Sequence, residues 1–277
     1  MFGRFETRQA LILAALLIAI LKCLEVAIDS QVLLHYDSGT YIRNGLGLEF
    51  NPTRCYVYGD LVSLIALPFH SLRAVIAAQA AMGGSTACLL AYALIRFLCV
   101  RYWLAIGAGI LFALDSVQIS LEHFILPEAA AMLATALFLV IGLNYLDNPK
   151  LLRLIELSLV GTGLVSLRIV HVPVLLTMAV IVPLLAWFRT GGNAKQLRPL
   201  NLALLVSFGS TLAFHAAYKH RTGVLAHREP AYEYSSGLFL VATVSPIVTA
   251  SDTSDAQVAH IVQSQNHTIC GICNPFL

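Results

Sequence analysis

The run QALILAALLIAILKCLEVAI, residues 9–28, decides how the rest of the chain is read. Apolar side chains surround the helix it would form, and only Lys22 and Glu25 carry charge. About 20 such residues cross the hydrocarbon of a bilayer. The run exceeds the ~7–15 apolar residues of a cleaved signal peptide, and no small-residue cleavage site follows, so it is expected to stay as an anchor. Six further stretches share its character, roughly 74–95, 102–118, 124–146, 152–167, 172–188 and 200–218. The sequence therefore predicts an all-α polytopic membrane protein of about seven transmembrane helices. Composition agrees: 58% of the 277 residues are hydrophobic and 12% charged, against about 25% charged in soluble domains. That balance excludes a water-soluble enzyme, a disordered chain and a nucleic-acid binder that reads phosphates.

Charge placement orients the spans. With the N-terminus cytoplasmic, nine of the seventeen Lys and Arg fall on short inner connections and seven on outer segments, with Lys22 inside a span. Eleven of the fifteen acids fall on or near the outer side. The inner face is thus net positive and the outer face net negative, which places any carboxylate chemistry outside the cytoplasm. The expected location is the cell inner or plasma membrane, with the active site on its outer face. Residues 1–218 form the transmembrane module, and 219–277 a partial outer-face segment.

The first outer loop, residues 29–73, is long and polar with an amphipathic pattern, so short interfacial helices are expected over Thr40 to Leu46 and Tyr58 to His70. Within it, Asp37-Ser38-Gly39-Thr40-Tyr41 offers a carboxylate at the membrane surface, where partial desolvation raises basicity. The alternative is an N-cap, in which Asp37 or Ser38 satisfies the free amides of the helix that follows. Further on, Arg54 lies beside Tyr56 and Tyr58; its guanidinium fork suits a phosphate and the rings suit a sugar or lipid neighbour. The alternative is an aromatic belt with a snorkelling Arg.

Two outer turns complete the candidates. Glu122, His123 and Glu128 lie between the third and fourth spans, where carboxylates entering a membrane are costly and tend to be functional. They could hold a polar substrate group or a divalent ion, although Glu128 also suits the positive end of a helix. Arg168 and His171 sit at the next outer junction and could grip a lipid-linked phosphate together with Arg54; headgroup anchoring is the alternative. Lys22 and Glu25, three apart, share a face and are expected to neutralise one another. The nine histidines have no tight ligand spacing, so no metal site is assigned. Cys270 and Cys273 read as a stabilising bridge.

In the order and sidedness of these pieces the chain resembles the GT-C class of integral membrane glycosyltransferases, of the protein O-mannosyltransferase and aminoarabinose-transferase type. The segments carrying the resemblance are Asp37 to Tyr41, Arg54 to Tyr58 and Leu121 to Glu128, with Gln79 and Arg168 in matching places, over roughly residues 5–220. The resemblance implies a seven-helix module and an inverting transfer of a sugar from a polyprenyl-phosphate donor to a lipid, polysaccharide or protein acceptor. Asp37 would be the general base, Glu128 would order the site, and Arg54 and Arg168 would hold the leaving lipid phosphate. Two departures stand out. Pro127 precedes Glu128 where relatives carry Thr or Ser, and relatives continue through further spans, so the chain reads either as C-terminally truncated or as having an incomplete substrate cleft.

Two other classes compete. A transporter or channel component would place ionisable groups near mid-bilayer, whereas these acids crowd one surface. A non-catalytic membrane assembly or sensor subunit is the other, kept in play by the further spans that relatives carry and this sequence does not.

Overall fold

The apolar run that opened the chain folds as α1 (Arg4–Ile28), and its two faces differ. Ala10, Ala14, Ile18 and Lys22, four apart, are buried, while Ile12, Leu16, Ile20 and Leu24 are exposed. Positions four apart share a helix face, so one stripe meets protein and the other meets lipid. Lys22 continues a stripe of small and apolar side chains.

The computed structural model describes residues 4–35, 37–47, 56–148 and 150–168, with His171 and six positions between 180 and 188. Within them α1 is followed by α2 (Ser38–Gly45), α3 (Tyr56–Phe69), α4 (Arg73–Arg96), α5 (Tyr102–Ala113), α6 (Ser116–His123), α7 (Glu128–Asp147) and α8 (Leu151–Leu167). The described part is all-α. Most of the expected span 172–188, all of 200–218 and the segment 219–277 with Cys270 and Cys273 lie outside the described residues.

Helix α4 is the hub, packing against α1, α3, α5, α6 and α7. Its buried face is made of Ala80, Gly83, Gly84, Ala87 and Ala91. Small residues let helix backbones approach closely in a membrane, where packing replaces the hydrophobic effect as the driving force. Gly84 lies against the Lys22 stem, and a Cβ at Gly83 would collide with the Glu122 carboxyl. Elsewhere α7 and α8 form a hairpin around Phe138, Tyr145, Leu154, Leu157 and Val165. At the end of this hairpin away from Glu128, Arg96 pairs with Asp147 at 3.2 Å and Arg153 donates to the Asn144 carbonyl.

Three described helices are long and apolar enough to cross a membrane: Arg8–Ile28, Arg73–Arg96 and Glu128–Asp147. They are candidate spans, as expected of a multi-pass membrane protein. The expected span 102–118 is not one helix. It breaks into α5 and α6, bent by 47°, because Asp115 takes extended backbone and its carboxylate accepts from the Gln118 amide at 3.1 Å, an N-cap that starts a new helix. Counted as one bent span, the pair brings the total to four. The expected span 152–167 is a helix of 17 residues, at the short limit for crossing and interrupted by Arg153 and Glu156. The span expected over 124–146 begins at Glu128, since Phe124 to Pro127 form the turn out of α6. Both helices expected in the first loop form, as α2 and α3, and Gly45 and Gly59 let their backbones touch.

Candidate functional site

The loop after α1 is tied to the turn between α6 and α7. Leu33 donates its amide to the His123 carbonyl at 2.9 Å and accepts from the Ile125 amide at 3.2 Å, a parallel bridge of one residue pair. Beneath it Tyr41, Tyr58, Val62, Val75, Ile76 and Ile125 form one buried cluster, with Leu126 and Leu167 packed on it. This cluster draws α2, α3, the α6–α7 turn and the end of α8 to one place. Asp37, Tyr41 and Tyr58 of the first loop therefore share an end of the bundle with the α6–α7 turn and the end of α8.

Glu128 opens α7, where the helix dipole favours a negative charge. Arg168 caps the end of α8, and its guanidinium donates to Glu128 Oε1 at 2.7 Å. Arg168 is 44% exposed and Glu128 20%, so the pair faces outward and adds little to stability. The second Glu128 oxygen is buried without a hydrogen bond. Forty positions apart in the sequence, Glu128 and Arg168 meet in this ion pair.

Asp37 stands at the N-cap of α2, but its side chain makes no capping hydrogen bond. Its carbonyl accepts from the amides of Thr40 at 3.0 Å and Tyr41 at 3.2 Å, and Ser38 Oγ accepts from the His35 amide at 2.8 Å. The backbone and Ser38 thus do the work of starting the helix. One turn on, the Tyr41 ring meets Tyr58 edge to face at 5.0 Å. Burial, then the Glu128 carboxylate, then Tyr41 raise the Tyr58 phenol far above its ordinary value. The charge of Glu128 therefore reaches the aromatic pair on which the Asp37 helix rests.

Other expectations sort differently. Tyr58 is fully buried, its hydroxyl engaged by Gln79 at 2.6 Å, so it has no face toward a substrate. Glu122 is also fully buried: one oxygen accepts from Lys22 Nζ at 2.8 Å and the other from Gln118 Nε2 at 2.6 Å. Lys22 also reaches Glu25 at 2.8 Å. The local pair read from the sequence is one arm of a buried triad. His123 turns both ring nitrogens to carbonyls, of Ile119 at 2.9 Å and Asp29 at 3.0 Å. Glu122 and His123 thus both border the Lys22 group, His123 Nδ1 lying 3.9 Å from Glu25, while Glu128 is engaged apart from them by Arg168, and among the described residues no three His, Cys, Asp or Glu side chains gather as a metal site. Arg54 and the Tyr56 side chain lie outside the described residues.

His171 follows Arg168 and donates its amide to the Arg168 carbonyl at 3.2 Å. Burial, then the Arg168 charge, hold its imidazole below the ordinary value. A folded value below the unfolded one means stability is complete above the ordinary histidine value, ~6.5, and is lost as pH falls through it. Between about pH 7 and pH 5 the unfolding midpoint of the wild type in detergent is expected to drop relative to that of His171→Gln, a difference that isolates this contribution from those of other titrating groups. An identical drop in that variant removes the assignment.

Fold and site together define a helical multi-pass membrane protein with an acidic and basic pair over a buried aromatic cluster at one end. The chain matches no family model, no curated protein and no solved structure.

Proposed function

We propose that the chain is a membrane glycosyltransferase of the GT-C kind, transferring a sugar from a polyprenyl-phosphate donor to a lipid, polysaccharide or protein acceptor with inversion. One observation carries the reading: Asp37, Glu128 and Arg168, from three distant segments, are borne on elements that pack on the same buried cluster. In this reaction Asp37 takes the proton of the acceptor hydroxyl. The acceptor oxygen attacks the anomeric carbon opposite the phosphate, and the bond to the phosphate oxygen breaks with its electron pair. The transition state is oxocarbenium-like. The departing phosphate is met by Arg168, which Glu128 orients, and by Arg54. Such charge matching at a leaving group is the larger part of many enzymes' rate enhancement. An apolar groove of about 1040 Å³ between α1, α4 and α7 offers room within the bundle for a hydrocarbon chain. The site is assigned to the outer face, with the N-terminus cytoplasmic.

The test is transfer of radiolabel from polyprenyl-phosphate sugars by membranes containing the chain, against membranes lacking it. Equal counts in both refute the reading. The buried Lys22, Glu25 and Glu122 group favours a second reading, a transporter or channel component, since ionisable groups among spans often mark a translocation path. Uptake of a polar solute by proteoliposomes without any transfer would support it. A non-catalytic assembly subunit would show neither activity.

A further inference from the structure

Gln79 sits fully buried on α4, and both ends of its carboxamide are engaged. Its oxygen accepts from Tyr58 Oη at 2.6 Å. Its nitrogen donates to the carbonyls of Phe124 at 2.7 Å and Glu122 at 2.9 Å. These carbonyls belong to the end of α6, where the last four of any helix lack partners within it. Leu33 satisfies the one between them, on His123. Gln79 therefore fixes how the chain leaves α6 and approaches Glu128, four residues beyond Phe124. On the other side, Tyr58 holds the Tyr41 ring and through it the helix begun at Asp37.

We propose that Tyr58 and Gln79 are positioning residues, a buried bracket that holds the Asp37 helix in register with the Glu128–Arg168 pair without touching substrate. The catalytic half of this rests on the transferase reading above. The mechanical half does not. Misplacing a reacting group by about 1 Å can cost on the order of a hundredfold in rate, so a bracket between base and phosphate clamp would be felt in turnover. Ground-state binding of a long lipid donor would change little.

The test compares full-length wild type, Tyr58→Phe and Val62→Ala in lipid nanodiscs, well below their unfolding temperatures. Val62 is a buried neighbour on α3 in the same cluster and makes no polar tie, so it reports loss of packing alone. In Tyr58→Phe, amide exchange is expected to rise at least about tenfold in both residues 38–46 and residues 121–127, with α7 and α8 unchanged. The transfer kcat is expected to fall at least about tenfold while the donor KM stays within about twofold. Val62→Ala should keep kcat near wild type. Gln79→Asn, one methylene too short to reach from Tyr58 Oη to the Phe124 carbonyl, is the second variant should Tyr58→Phe not fold, and is expected to give the same pair of changes. Exchange confined to α3, or an equal loss of kcat in Val62→Ala, overturns the bracket. Coupled exchange in a wild type without transfer activity leaves the bracket standing and removes the transferase reading.

Discussion

Asp37→Asn is expected to lower sugar transfer by about 10²–10⁴-fold, the range that a positioned general base contributes. The substitution leaves the start of α2 intact. Asn and Asp are equally good at a helix N-cap, the Asp37 side chain makes no capping bond to lose, and α2 is started by backbone carbonyls and Ser38. What changes is the ability of the side chain to take a proton. Asp37→Glu should retain part of the rate, because the carboxylate persists one methylene out of place. Membranes carrying each variant at matched expression, incubated with radiolabelled polyprenyl-phosphate sugar, provide the measurement. Wild-type transfer by Asp37→Asn would remove Asp37 as the base.

Lys22→Met is expected to be the most destabilising single change in the described bundle, by about 3–5 kcal/mol, the cost of leaving a buried charge without its partner. Lys22 is 5% exposed and Glu122 0%, and the ammonium lies 2.8 Å from Glu122 and from Glu25. Removing it leaves both carboxylates without their shared cation, Glu122 keeping only its hydrogen bond from Gln118 and Glu25 only the more distant His123 ring at 3.9 Å. Methionine preserves the stem that packs on Gly84, so lost packing does not confound the result. The double variant Lys22→Met, Glu122→Gln should recover part of the loss, since it removes the fully buried Glu122 charge together with Lys22 but leaves the Glu25 carboxylate without its cation. Unfolding midpoints in detergent read both effects. A single variant no worse than a surface substitution, or a double variant equal to the sum of the singles, would show that the triad is not coupled.

Much of the fold is legible in the sequence because lipid imposes one rule, that a spanning segment be helical and apolar. Helices α1, α4 and α7 follow from their apolar runs, and α2 and α3 from the amphipathic pattern of the first loop. The elbow between α5 and α6 was missed although Asp115-Ser116 is a cap signal, because the apolar run on both sides masks a local polar bond. The partner of Lys22 was missed for a different reason. Periodicity tells which face a residue occupies, never which distant helix faces it, and Glu122 lies 100 positions away. Gly83 is the trace it leaves, a missing side chain where a carboxyl needs room. Within the site, the charges of Glu128 and Arg168 attract attention on any reading, whereas Gln79 is an amide among alanines whose importance depends on two carbonyls at a helix end.

The ionic triad also constrains how the protein is made. As α1 emerges from the ribosome it carries Lys22 and Glu25 one turn apart, a self-neutral pair that can enter the bilayer at modest cost. The third charge is synthesised roughly a hundred residues later and has nowhere to rest until the glycine face of α4 is already beside α1. Insertion of the first hairpin must therefore precede the arrival of α6. A chain in which α4 is delayed or misoriented would present Glu122 to lipid, an exposed signal that membrane quality control could recognise.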